Sequence, residues 1–170
     1  MSRRIEIKVD DELVLKEFIL EDSQELFDLI DRNRGQLSQF GDETSQKYPN
    51  LDSVRISILN PSNPQKLRFG IRFNNLELVG TINLTPRDQE NKCIEVGYYL
   101  GEEFERKRIV TRCVRKIVEY SFRNLNYKTI CATVHPKNEK SQRVLRNVGF
   151  QVDKEKSQEL GNLYFYISKN

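Results

Sequence analysis

Arg106, Lys107 and Arg108 stand together where a strand pattern gives way to a helix pattern. They lie inside the run Glu95 to Tyr120, EVGYYLGEEFERKRIVTRCVRKIVEY. Upstream, Ile94, Val96, Tyr98 and Leu100 alternate with Glu95, Gly97 and Tyr99, the period of a strand. Downstream, Ile109, Val110, Cys113, Val114, Ile117, Val118 and Phe122 recur at three- and four-residue steps, the period of an amphipathic helix. A strand, a short basic loop and a helix together suit a phosphate. The first N–H groups of a helix have no partner within it and lie at the positive end of its dipole. The three cations add formal charge at that point.

Metal chemistry finds no support. Cys93, Cys113 and Cys131 are an odd number without ligand spacing, and His135 is the single histidine. The pattern reads as three reduced thiols packed in the core of a cytoplasmic protein, with the histidine incidental at a strand end. The net charge of +3, from 28 basic and 25 acidic residues, is too balanced to argue for nucleic acid. The charge of the basic stretch Arg106 to Lys116 is better explained by a phosphate at the helix start. No apolar run reaches the roughly 18 residues of a membrane span, and MSRRIEIKVD lacks the apolar stretch of a signal peptide. With 170 residues and no repeat or linker, the expectation is one domain over residues 1–170.

The elements that must position the basic loop follow from the chain in order. Ile5, Ile7 and Val9 predict a strand, Asp10-Asp11 a turn, and Leu13–Phe18 a second strand closing a hairpin. Asp22 or Ser23 caps a helix with apolar face Leu26, Phe27, Leu29 and Ile30, stopped at Gly35. The stretch GQLSQFGDETSQKYPN reads as irregular, and Leu51–Leu59 as a helix ended by Pro61 and Pro64. Leu67 to Phe73 alternates as a strand, Asn74-Asn75 is a hairpin turn, and Leu76–Leu84 returns with Gly80 as a candidate bulge. Pro86 to Lys92 is a loop and Lys92–Leu100 the strand entering the basic loop. Thr129–Val134 is a strand, Ser141–Val148 a helix stopped by Gly149, and Phe150–Lys156 and Leu163–Ser168 are the last two strands. The implied class is α/β (α+β): a mixed central sheet of about seven strands with helices on both faces.

With these elements in place the chain resembles the GCN5-related N-acetyltransferases (GNATs), and within them the branch that acetylates N-terminal amines of ribosomal proteins. Three pieces carry the resemblance: EVGYYLGEEFERKRIVTRCVRKIVEYSF, HPKNEKSQRVLRNVGF and LVLKEFILEDSQELFDLIDRNRGQL. It implies a V-shaped splay between two parallel strands, here Lys92–Leu100 and Thr129–Val134, with acetyl-CoA as co-substrate lying in the V. It implies that the backbone of Glu105, Arg106, Lys107, Arg108, Ile109 and Val110 takes the pyrophosphate. Val96 and Tyr98 would offer backbone N–H groups to the thioester carbonyl, and Asn138 and Ser141 would lie along the pantetheine and thiol. Glu95 would be the base that deprotonates the amine through water, and Ser141 the acid toward the CoA thiolate, with Tyr98 and Tyr99 as alternatives. Ser141 has a competing role as the cap of the helix it opens, and Asn138 one as a turn residue.

Two departures stand out. The family loop reads Gln/Arg-x-x-Gly-x-Gly/Ala, commonly with a further Gly just after the first residue, whereas here residues 105 to 110 hold no glycine and begin with an acid. Either the three cations compensate by charge-assisted contacts, or the loop has lost CoA and the fold is a silent binding module. The branch's Trp-rich stretch after the first helix is replaced by Leu37-Ser38-Gln39-Phe40-Gly41-Asp42, and the chain has no tryptophan. The acceptor expected is a protein or peptide N-terminus, or else a small amine, with Asp42 and Glu43 as candidates to attract it. The protein would act as a monomer or homodimer, without nucleic-acid or membrane partners.

Overall fold

A computed structural model describes residues 4–74 and 77–170. In chain order these form β1 (Glu6–Lys8), β2 (Leu13–Glu17), α1 (Ser23–Arg32), α2 (Arg34–Leu37), α3 (Thr44–Lys47), α4 (Leu51–Leu59), β3 (Leu67–Phe73) and β4 (Glu77–Asp88). Then follow β5 (Cys93–Leu100), α5 (Ile109–Arg123), β6 (Thr129–Val134), α6 (Glu139–Val148), β7 (Gln151–Asp153), α7 (Lys154–Leu160) and β8 (Leu163–Ser168). The strands form one mixed eight-stranded sheet in the order β1-β2-β3-β4-β5-β6-β8-β7, flanked by helices, one strand more than expected. Two compact units share the chain: Met1–Asn83 with Tyr98–Ile109, and Leu84–Gly97 with Val110–Asn170.

In the first unit the hairpin forms as its alternation requires, with Ile7 opposite Leu15, both buried. β3 adds antiparallel to β2, placing Ile71 opposite Leu15. Leu26, Leu29 and Ile30 of α1 pack with Leu37, Val54 and Leu78 into a core that Phe18, Phe27, Tyr48, Ile58 and Tyr99 close from the side. Asp22 precedes α1 as expected, but its carboxylate does not cap the helix. It accepts from Ile19 N–H at 3.0 Å and pairs with the guanidinium groups of Arg4 and Arg72.

Several expectations are corrected here. Gly35 does not stop α1; it lies within α2. The stop is Asn33, whose amide donates to Leu29 O at 2.7 Å while its Oδ1 accepts from Glu102 N–H at 3.1 Å. The stretch read as irregular contains α2 and α3. Arg34 ties it together by donating to the carbonyls of Ser45 and Tyr48. The turn at Asn74-Asn75 and the start at Leu76 fall partly outside the described residues. β4 runs on through Pro86 to Asp88, so the following loop is shorter than expected.

Gly80 is where β4 must pass close to β5. A Cβ there would stand 2.4 Å from Tyr99 O and 3.1 Å from Leu100 Cα, both backbone atoms that cannot step aside alone. Gly80→Ala should therefore destabilise by about 1–3 kcal/mol, the range for overpacking a tight contact. Urea unfolding reads this, and an unchanged midpoint would mean that β5 yields freely.

In the second unit β6 pairs parallel with β5 and antiparallel with β8, and β7 closes the sheet beside β8. α5 buries Cys113, Val114, Ile117 and Val118, as its periodicity requires. α6 ends at Gly149 with φ +111, the expected left-handed stop. The first three residues of α7 were expected as the end of a strand. Its sequence is polar, so no period announces it; it is made by its caps. Asp153 accepts from Lys156 N–H at 3.0 Å, and Gly161 ends the helix at φ +68.

Candidate active site

β5 and β6 are hydrogen-bonded in register only from Cys93↔Thr129 to Glu95↔Cys131. Among the described residues their ladder stops there, although β5 runs to Leu100 and β6 to Val134. β6 keeps its other neighbour throughout, up to Val134↔Leu163. The described parallel pairing thus ends at Glu95 and Cys131. Alternation puts Cys93, Glu95 and Cys131 on one face of the sheet, and the buried Ile94 and Val96 on the other.

Glu95 is not alone. Arg87, from β4, donates its Nε to Glu95 Oε2 at 2.6 Å, and this bond raises the guanidinium's pKa still further above its ordinary value. The sequence reading missed Arg87, because it fell in a stretch taken for loop. The signal was a cation and an acid eight residues apart across a strand turn.

Asn138 and Ser141 are brought together at the start of α6. Asn138 is the cap: its Oδ1 accepts from Ser141 N–H at 3.2 Å. The capping role considered for Ser141 therefore belongs to Asn138, and Ser141 is the helix's third residue. The turn before them is fixed by Asn138 N–H to His135 O at 2.8 Å and by Gln142, whose amide donates to Pro136 O at 2.7 Å. His135 accepts from Lys137 N–H through Nδ1, so it serves the same turn.

In the first unit, β5 continues through Tyr98 and Tyr99. Tyr99 packs against the core of α1 and α4, and burial pushes its hydroxyl pKa far up. After a single helical turn at Glu102–Phe104 the chain reaches the basic loop. Here Arg106 has φ +68 and Arg108 φ +55. These are left-handed conformations that ordinary side chains adopt only at a cost of roughly 1–2 kcal/mol each. They coincide with places where the resembled family carries glycine. The loop has thus kept the backbone shape that glycine serves without keeping glycine.

The side chains around this backbone sort by role. The Glu105 carboxylate is engaged by the Gln36 amide of α2 at 2.7 Å. The Lys107 ammonium lies over the rings of Phe73 and Phe104, at 5.4 and 5.6 Å. Arg106 and Arg108 are exposed, Val110 is half-buried, and Ile109 is buried, seating the first turn of α5. Of the two acids expected to attract an amine, Asp42 accepts from Thr44 N–H at 2.6 Å and Glu43 pairs with Lys47 at 3.1 Å, so both serve α3 locally.

If Arg108 combines strain with charge, Arg108→Gly separates the two. Relief of the left-handed strain less the extra freedom of an unfolded glycine leaves a gain of roughly 0.5–1 kcal/mol in stability. If the loop holds a phosphate, loss of one charged contact to it should weaken CoA binding about ten- to hundredfold, since such bonds are worth roughly 1.5–3 kcal/mol. Stability and affinity should move in opposite directions, and the loss of affinity should shrink in high salt. Tighter CoA binding by the glycine variant, with the same salt slope, would make Arg108 an obstruction.

A mixed sheet with one parallel β5–β6 pair, and a left-handed basic loop running into a helix, is the arrangement of the acetyltransferase class of fold. The chain belongs to the acetyltransferase (GNAT) domain family, which matches it over residues 12–151. It is 32% identical over 156 residues to YdaF of Bacillus subtilis (strain 168), provisionally named a ribosomal N-acetyltransferase, covering 84% of this chain and 80% of that one. Among solved structures it resembles RimL, a ribosomal-protein alpha-N-acetyltransferase in complex with coenzyme A. The TM-score is 0.84 at 18% identity, over 96% of this chain and 98% of that one. The microcin self-immunity acetyltransferase MccE, in complex with acetyl-CoA and AMP, gives a TM-score of 0.78 at 24% identity, over 96% of both chains. The last two likenesses establish the fold. Among the described residues no helix is long and apolar enough to cross a membrane, and no three His, Cys, Asp or Glu gather to hold a metal.

Proposed function

We propose that the chain, acting as one domain in the cytoplasm, transfers the acetyl group of acetyl-CoA to a primary amine, and that this amine is the N-terminus of a protein or peptide. The observation that carries the CoA reading is the loop at Arg106 and Arg108. Strain is retained where a ligand makes use of it, and the left-handed residues lead into the N-terminus of a fifteen-residue helix, an anion site by its geometry. The acceptor reading is supported by the ribosomal names of YdaF and RimL.

In this reading the pyrophosphate rests on backbone N–H groups of residues 105 to 110, with Arg106 and Arg108 adding charge. Asn138 bonds the pantetheine beside Ser141. β5 backbone at Val96 and Tyr98 polarises the thioester carbonyl. A water held by Glu95 takes a proton from the ammonium, because a protonated amine has no lone pair with which to attack. The amine nitrogen bonds to the carbonyl carbon, the C–S bond breaks, and the nitrogen's remaining extra proton passes to the departing thiolate, with Ser141 O–H hydrogen-bonded to the sulfur. Transfer is direct, with no acyl-enzyme. Most of the rate comes from positioning and from the fixed N–H dipoles.

The test has two stages. Calorimetric titration should show acetyl-CoA binding, and a thiol-release assay should show turnover with N-terminal peptides. Binding without turnover on peptides or small amines would favour the silent module, and no binding would sink the CoA reading itself.

A further inference from the structure

Cys93 and Cys131 are neighbouring thiols in the bonded part of the parallel β5–β6 ladder. Their sulfurs are 3.6 Å apart, in S–H···S contact, while all three cysteines of the chain are reduced. Each lies diagonally from the other: Cys93 faces Thr129 in the ladder, and Cys131 faces Glu95. Cys93 is 9% exposed and Cys131 1%, so a small oxidant reaches Cys93 first. Tyr164 pairs with Thr133 of β6, on the face that carries Cys131, and Lys156 stands over its ring at 4.8 Å. The proton shared with Cys131 lowers the Cys93 pKa to about 7, helped by Tyr164 and Lys156 and opposed by burial and Asp88. Cys131 is pushed up by the same partner and by burial. One thiol is thus poised as the nucleophile and the other holds the proton.

We infer that Cys93 and Cys131 form a reversible redox modification site that takes a peroxide as its oxidant. The Cys93 thiolate attacks one oxygen of the peroxide; an S–O bond forms, the O–O bond breaks, and hydroxide leaves, becoming water with the proton that the Cys93 thiol gave up on ionising. Cys131 then attacks the Cys93 sulfur. The S–S bond forms, the S–O bond breaks, and the second hydroxide takes the Cys131 proton. Two thiols and one hydrogen peroxide become one disulfide and two waters. The sulfurs must close by about 1.5 Å to reach bonding distance. Across a diagonal of the ladder this closure strains the bond, and strained disulfides are the readily reduced ones. The inference requires no catalytic activity.

Thiol counting and peptide mapping of the whole chain provide the test. Titration with hydrogen peroxide should remove two of the three thiols and yield one linked peptide pair containing Cys93 and Cys131. A low-molecular-weight thiol should restore both. In Cys131→Ser, oxidation should stop at a sulfenic acid on Cys93 that dimedone traps. The inference is overturned if all three thiols survive peroxide that consumes an exposed model thiol. It is equally overturned if Cys93 passes to sulfinic acid in the wild type without linking, or if Cys113 is the residue joined. The wild-type mapping decides even if the serine variant fails to fold.

Discussion

Replacing Asp22 with asparagine should lower stability by about 3 kcal/mol, within the range for breaking one side of a buried pair. The Asp22 side chain is 10% exposed and its partner Arg72 9%, at 2.9 Å. Its other oxygen meets Arg4 and the Ile19 N–H. An amide offers one acceptor oxygen where the carboxylate offers two, and turns an NH2 toward one of these donors. Arg72 keeps Glu25 as a second partner, but Glu25 is 51% exposed and compensates only in part. The loss therefore lies toward the lower end of the range. Replacing Asp22 and Arg72 together with apolar residues of similar volume should recover most of it, since the desolvation penalty disappears with both charges. Urea unfolding of the three proteins is the measurement. A single-variant loss below about 1 kcal/mol would show that water reaches the cluster.

That cluster marks the limit of what the sequence made legible. Asp22 could be read as a helix start because a cap is a local signal. Its partner lies fifty positions away and no local pattern announces it. The elements found correctly, β2, α4, β3 and β6, have apolar residues at the period of their own geometry. Those missed, α2, α3 and α7, are short and polar, and are held by side-chain bonds to backbone such as Arg34 to Tyr48 O and Ser157 to Tyr164 N–H. The loop at residues 105–110 was visible through a resemblance, yet its residue types argued against its shape. Only coordinates show left-handed backbone at two arginines. The Arg87–Glu95 and Cys93–Cys131 contacts depend on strand register, which alternation alone does not supply.

The register bears most on Glu95. If the proposed reaction is right, Glu95→Gln should reduce kcat by about 100-fold or more, the lower bound for loss of a general base, with acetyl-CoA affinity unchanged. Glutamine keeps the shape but cannot accept a proton from the bridging water. It also removes the charge that Arg87 meets at 2.6 Å. That creates a second path to lost activity: Arg87, now without its anion, could swing and block the amine. Arg87→Ala separates the two paths. If Arg87 only positions the carboxylate, this variant should lose less than Glu95→Gln, and Arg87→Lys should restore part of the loss by keeping the charge. In a pH profile, Arg87→Ala should retain the rising limb that reports deprotonation of the base, and Glu95→Gln should lose it. Near-normal turnover by Glu95→Gln would take Glu95 out of the mechanism, leaving the pair a strand-to-strand tie and desolvation of the amine as the means of its deprotonation.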